Sequence, residues 1–263
     1  MQYNAVIDSI TEITPSIRIF RLKPDFGKLD FTAGQFAVLG LPDDPANLDG
    51  EWHRRAYSIA SPPSYNTVDF YIVLVDDAPP PAPPAKLTPR LWKLKAGDRI
   101  FLGEKVAGSM VLPQDFGDKN LLFIATGTGI APFVSITNDR TKEIYNGTRH
   151  IGVIQGARHS SDLGFKGFFD DDHKENPKTR HYYPTVSRPY PGRHWEGFTG
   201  RVGDVLDSGI VEQDFGRPIT PENTLVFLCG NPNMVDDMVA RFEALGFTRN
   251  TPWQPGNLFF DKH

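Results

Sequence analysis

The sequence predicts two domains, a small antiparallel β-barrel followed by an α/β domain with a doubly wound parallel sheet. Three observations predict it. Up to about residue 113 the apolar residues fall in short alternating stretches with turn residues between them, the pattern of strands with one buried face. Beyond a polar linker at 114–119 they fall in continuous runs, as in strands covered on both faces. Helical stretches separate those runs, which implies crossover connections and parallel strands. The expected domains are 1–113 and 119–263, in keeping with 263 residues at about 150 per domain.

In chain order, strands are expected at 3–10, 16–22, 35–41, 55–60, 68–75 and 99–102, with one helical interruption at 87–94 for which Thr88 is a candidate cap. The segment 78–85 reads Ala-Pro-Pro-Pro-Ala-Pro-Pro-Ala. Proline lacks the donor N–H of a sheet ladder, so this is expected to be an extended loop, either a solvated spacer or a proline motif for a partner. In the second domain, strands are expected at 120–125, 150–154, 182–187 and 224–229. Helices are expected from Pro132 and at 163–170, 202–208 and 233–245.

Composition narrows the function classes. The 28 basic and 32 acidic residues give a net charge of -4, without the basic excess that nucleic-acid binding calls for. No apolar run approaches the eighteen or so residues of a membrane helix, and the first residues lack a basic-then-apolar leader. A cytoplasmic protein with no nucleic-acid partner and no membrane insertion is expected. The single cysteine, Cys229, allows no intrachain disulfide and too few thiolates for a plant-type iron–sulfur cluster. The seven histidines are dispersed without paired ligand spacing, so no metal is expected.

Two local patterns carry chemistry. Thr126-Gly127-Thr128-Gly129-Ile130-Ala131-Pro132 stands between an expected buried strand and a helix. Glycines there let the backbone turn and approach a ligand, and free N–H groups at a helix start receive a pyrophosphate. It lacks the third glycine of the full dinucleotide fingerprint, and an ordinary glycine turn is the alternative. In the first half, Arg54-Arg55-Ala56-Tyr57-Ser58 lies on a strand, with Arg55 and Tyr57 on one face and Ala56 and Ser58 on the other. Such a pair offers a phosphate donor beside an aromatic plane, or simply a surface arginine beside a cross-strand ring.

Arg55-x-Tyr57-Ser58, Leu87-Thr88-x-x-Leu91, Gly108-Ser109, Thr126–Pro132 and Cys229-Gly230-Asn231-Pro232 occur in that order. Together they resemble the ferredoxin–NADP reductase family, in its bacterial ferredoxin/flavodoxin reductase branch. The resemblance spans nearly the whole chain. It implies an FAD-binding barrel and an NADP-binding parallel-sheet domain. By position, Arg55 would bind the FAD pyrophosphate, Tyr57 would stack on the isoalloxazine with Ala56 beside it, and Ser58 would bond near flavin N5. Leu87, Thr88, Gly108 and Ser109 match positions whose backbone and hydroxyl groups would line the phosphate and ribitol. Thr126, Gly127, Thr128 and Gly129 would hold the nucleotide pyrophosphate, with Cys229 and Gly230 beside the nicotinamide.

Arg158 and Arg188 end two expected strands and Arg201 opens the next helix. The resemblance places such arginines around the 2′-phosphate of NADP, for which a guanidinium fork is suited; three solvated arginines are the alternative. At the C-terminal end, Leu258-Phe259-Phe260-Asp261-Lys262-His263 resembles a tail that returns to the flavin, which would put Phe259 on its face and Phe260 toward the adenine. Burial of Phe259 in the barrel interface is the competing reading. Ser58, Cys229 and Phe259 are the expected reaction-centre residues, acting by position rather than proton transfer.

The expected activity is hydride exchange between NADP(H) and FAD and single-electron exchange with ferredoxin or flavodoxin. Lys86, Arg90, Lys93, Lys95 and Arg99 form a candidate basic landing surface for a transient electrostatic contact, and a monomer is expected. An NADPH-dependent flavin or oxygenase-component reductase and a non-catalytic flavin-binding regulator are the alternatives.

Overall fold

The computed structural model describes residues 1–75, 86–139, 148–192 and 194–262. The proline-rich stretch lies outside the described residues. The chain forms two compact units, Met1–Val111 with Val134–Asp139, and Leu112–Phe133 with Arg140–His263. The first boundary falls just short of the expected 113. The departure is the return of Val134–Asp139, the later part of one helix, to the first unit.

The first unit holds β1 (Ala5–Thr14), β2 (Ile17–Pro24), β3 (Phe36–Pro42), β4 (Trp52–Ser58), β5 (Val68–Val73) and β6 (Arg99–Leu102). They form one antiparallel sheet in the order β4-β3-β6-β1-β2-β5. A bridge between Ile59 and Phe70, with Ala60 N–H donating to Asp69 O at 2.8 Å, brings the two ends together and closes the barrel. The inward residues of every strand, among them Ile7, Phe20, Leu39, Phe70 and Ile100, make a single core. β4 starts earlier than expected because its ladder with β3 runs over seven pairs, from Pro42↔Trp52 to Phe36↔Ser58. The expected helix at 87–94 shrinks to α1 (Thr88–Leu91), with Leu87 rather than Thr88 at its cap position. Leu87 and Leu91 both enter the barrel core.

The second unit holds β7 (Asn120–Thr126), β8 (Ile151–Ala157), β9 (Arg180–Val186), β10 (Phe198–Thr199), β11 (Thr224–Gly230) and β12 (Leu258–Lys262). All pair in parallel, in the order β10-β9-β8-β7-β11-β12. The helices are α2 (Ala131–Asn138), which starts here and passes to the first unit at Val134, α3 (Lys166–Glu175), α4 (Val202–Asp207), α5 (Ile210–Phe215) and α6 (Pro232–Ala244). From β7 the chain steps outward through β8 and β9 to β10, then returns to the other side of β7 as β11. The β7–β11 seam is therefore the point where strand order reverses, and ligands gather at the carboxyl ends of strands there. The strands are buried on both faces, as their unbroken apolar runs require. Leu122, Ile124, Val226 and Leu228 pack with Val235 and Phe242 of α6. On the other face Phe123, Phe227 and Phe259 pack across three adjacent strands, with centroids 5.1 Å and 4.4 Å apart.

Helix α3 begins three residues later than expected because a 3-10 turn at Ser160–Asp162 comes first and Phe165 stands at φ 63°. A non-glycine residue in that region marks a break that a helical pattern does not show. No described helix is long and apolar enough to cross a membrane. Among the described residues no cluster of His, Cys, Asp and Glu is arranged to hold a metal.

Candidate functional site

Each unit carries one site. In the barrel, β4 presents Arg55 and Ala56 exposed and Tyr57 and Ser58 half-buried. The pairing of Ala37 with Tyr57 and Phe36 with Ser58 fixes which way these side chains point. Tyr57 leans on the barrel core, and burial pushes its phenol pKa up to about 12, partly offset by the neighbouring Arg55 charge. The ring is thus neutral at ordinary pH and offers a flat face with one hydroxyl. Arg55 donates to the Arg54 carbonyl at 2.9 Å, and no ion pair among the described residues neutralises it. Phe36 also bridges Ala107, so Gly108 and Ser109 follow on the far side of Phe36 from Ser58. Gly108 has φ +119°, and a Cβ there would stand 3.2 Å from the Phe36 ring. A charged fork, a ring and small polar groups in this arrangement suit a phosphate joined to a planar ring.

The side chains of Leu87 and Thr88 have partners within the barrel. The Leu87 side chain is barrel core. The Thr88 hydroxyl donates to Val75 O at 2.9 Å and accepts from Val75 N–H at 3.1 Å. It does not cap α1 and instead pins Val75.

In the second unit the site lies at the strand-order reversal. β7 ends at Thr126, and the 3-10 turn Gly127–Ile130 leads directly into α2. Gly127 has φ +56° with open space where a Cβ would stand, so its main chain is accessible to a ligand. Gly129 is required for a different reason from the one expected. A Cβ there would lie 2.2 Å from the Cys229 carbonyl oxygen, so the turn packs backbone to backbone against β11. Gly230, at φ +134°, answers it, since a Cβ would come within 2.4 Å of Thr126 Oγ1. Asn231 N–H donates to that same Oγ1 at 3.0 Å. Asn231 also caps α6 by accepting from Asn233 N–H at 3.0 Å. Two loops, each opening a helix, are thereby locked together at the carboxyl ends of β7 and β11. Positive helix ends and exposed main chain fit a pyrophosphate.

Arg158 and Arg188 follow β8 and β9, and the Arg188 N–H donates to the Arg158 carbonyl at 2.8 Å. Arg201 precedes α4, its N–H held by Asp204 Oδ2 at 2.6 Å. All three side chains are exposed, and no ion pair among the described residues engages them. What binds this corner together shows in no local pattern of the chain. The His159 ring stacks on Tyr190 at 4.3 Å and 11°, and its Nδ1–H donates to the Arg188 carbonyl at 2.6 Å.

Two of the expected reaction-centre residues are buried. Phe259 is 3% exposed and stacked on Phe227 inside the sheet, because the segment 258–262 is a strand in register with β11. It is a core residue of this sheet. Phe260 points the other way, toward the α6 side of the core, with the Arg249 guanidinium 5.6 Å from its ring. Cys229 is fully buried, and burial, reinforced by the Asp261 charge, pushes its thiol pKa well up. The same register sets Asp261 opposite Cys229 and Lys262 opposite Gly230, which no local pattern in the sequence announces.

A barrel bearing an Arg-x-Tyr-Ser strand, together with a parallel sheet bearing a glycine loop at its switch point, defines a two-domain nucleotide-dependent oxidoreductase. Residues 123–240 match the oxidoreductase NAD-binding domain. The chain is 32% identical to the ferredoxin–NADP reductase of Azotobacter vinelandii over 248 residues, covering 89% of this chain and 87% of that one. It is 34% identical to the flavodoxin/ferredoxin–NADP reductase of Escherichia coli, covering 83% and 82%. A ferredoxin NADP+ reductase from Neisseria gonorrhoeae, solved with bound FAD and NADP, superposes with a TM-score of 0.80 at 25% identity, covering 98% of this chain and 97% of that one. The chain belongs to the ferredoxin–NADP reductase family.

Proposed function

We propose that this protein is an FAD-dependent oxidoreductase that moves reducing equivalents between NADP(H) and ferredoxin or flavodoxin. The observation that carries this reading is that similarity to reductases of that name runs through 248 residues, and so through both the Arg-x-Tyr-Ser strand and the glycine loop. Bound FAD supplies the exchange between hydride chemistry and single-electron chemistry. The protein's own groups bind and orient. Arg55 meets the FAD pyrophosphate, Tyr57 supports the ring, and Ser58, Gly108 and Ser109 offer polar contacts along it. Gly127, Thr128 and Gly230 receive the nucleotide pyrophosphate, and Arg158, Arg188 and Arg201 receive the 2′-phosphate. No side chain needs to move a proton, in keeping with a Cys229 thiol that burial holds protonated.

The electron carrier docks on a basic area that is smaller than its sequence. Arg90 is paired with Asp43 at 2.5 Å, Lys86 with Glu51 at 3.4 Å, and Arg99 with Asp25. That leaves Lys93 and Lys95, both exposed. Contacts through two lysines are weak and salt-sensitive, as suits a monomer meeting a mobile carrier in the reducing cytoplasm. The test is NADPH-driven cytochrome c reduction by the holoprotein. The expected rate depends on added ferredoxin or flavodoxin and falls several-fold in a Lys93→Glu, Lys95→Glu variant at low salt. Full activity without any carrier would point to a flavin reductase instead.

A further inference from the structure

We infer that His159 is a positioning residue for NADP(H) selectivity, fixing the Arg188 backbone from which the 2′-phosphate is gripped. The inference rests on the assignment of Arg158 and Arg188 to that phosphate. Both arginines sit on chain ends just past β8 and β9. The two ends are tied by Ser187 N–H to Ala157 O at 3.0 Å and Arg188 N–H to Arg158 O at 2.8 Å. Beyond that point the main-chain ladder stops, and His159 takes over. A carbonyl oxygen only accepts, so the 2.6 Å contact to Arg188 O fixes the proton on Nδ1. The His159 main-chain N–H is itself held by Asp162 Oδ2 at 3.3 Å, and its ring lies flat on Tyr190. Ser161 Oγ reaches the Tyr190 hydroxyl at 3.4 Å. One imidazole therefore joins the loop after β8 to the loop after β9 by an edge and a face.

A guanidinium fork rewards orientation more than proximity. An Arg188 whose peptide is free to rotate spreads its charge over many directions, and ordering it on binding costs side-chain and backbone entropy. Holding the peptide in advance favours the nucleotide that carries a 2′-phosphate and gives nothing to the one that lacks it. His159 touches no phosphate in this scheme. It acts through Arg188.

Two substitutions separate edge from face. His159→Phe keeps a ring against Tyr190 and removes the donor, whereas His159→Asn keeps an N–H donor at the Nδ1 position and removes the ring. Calorimetric titration of the FAD-loaded protein with 2′-phospho-AMP reads the phosphate site directly, and KM for NADH reads the remainder. His159→Phe is expected to weaken 2′-phospho-AMP binding about fivefold, the worth of one lost hydrogen bond, with KM for NADH unchanged. His159→Asn is expected to stay within about twofold of the parent. Equal affinity in His159→Phe and the parent, equal losses in both variants, or a matching rise in the NADH KM would each overturn the inference. Arg188→Ala serves as the separate control. If it binds 2′-phospho-AMP as the parent does, the phosphate assignment itself is wrong, whatever the His159 variants show.

Discussion

Tyr57 and Phe259 show how differently two aromatic residues can be read. Tyr57 sits in a strand whose neighbours, Arg55 and Ser58, already give it a chemical context, and the β3–β4 register puts it there. Tyr57→Ala is expected to weaken FAD retention about fivefold or more, since one stacked ring contributes roughly 1–3 kcal/mol; fluorescence of released flavin measures it, and full occupancy at normal affinity would remove the stacking role. Phe259 is a case the sequence could not settle. Whether a Phe-Phe pair ends in a tail or a strand depends on pairing with β11, about thirty residues away along the chain, and no local pattern encodes that. Its ring completes the stack with Phe227. Phe259→Ala is therefore expected to destabilise the fold by about 3–5 kcal/mol in denaturant unfolding, as large-to-small core changes do. An unchanged midpoint with altered nicotinamide access would restore the flavin-face role.

At the scale of elements, what was legible was what is locally encoded. β7, β8 and β11 announce themselves as apolar runs, and α6 as a helical stretch whose expected bounds lie within one residue of those observed. The parts that escaped, β12, the two-residue β10 and the late start of α3, are set by edges and by one left-handed residue, Phe165. Equally invisible was the polar cluster where β8 and β9 begin. His150 Nδ1 and His181 Nε2 stand 3.0 Å apart, facing Asp214, Arg180, Arg217 and His173. Tyr183 donates to Asp214 at 2.9 Å. Burial lowers the His181 pKa from the ordinary 6.5 to about 4, outweighing the Asp214 charge, and lowers His150 as well. The unfolded chain thus binds protons that the folded one refuses between about pH 6.5 and 4. Stability from this cluster is complete above pH 6.5 and is lost as the pH falls, by up to about 3 kcal/mol. Urea midpoints measured across that range should fall with pH in the parent and much less in His181→Gln. Parallel slopes would show that the cluster does not titrate on unfolding.

For the whole molecule, the two halves differ in how much function their sequence exposed. The Arg-x-Tyr-Ser strand and the glycine loop stood out because arginines and glycines at strand ends are conspicuous. The corner that orders Arg188 was not, because a histidine and a tyrosine thirty-one residues apart meet only in the fold. The basic surface was overread for a related reason. Asp25, Asp43 and Glu51, which neutralise much of it, come from distant parts of the chain. What unites both units is the claim that electrons pass between a flavin bound to the barrel and a nicotinamide nucleotide bound to the parallel sheet. Anaerobic titration of the purified yellow holoprotein with NADPH, followed by absorbance near the flavin maximum, examines that claim directly. Bleaching with NADPH, reversed by adding oxidised ferredoxin or flavodoxin, is the expected result; a flavin that stays yellow in excess NADPH would contradict it.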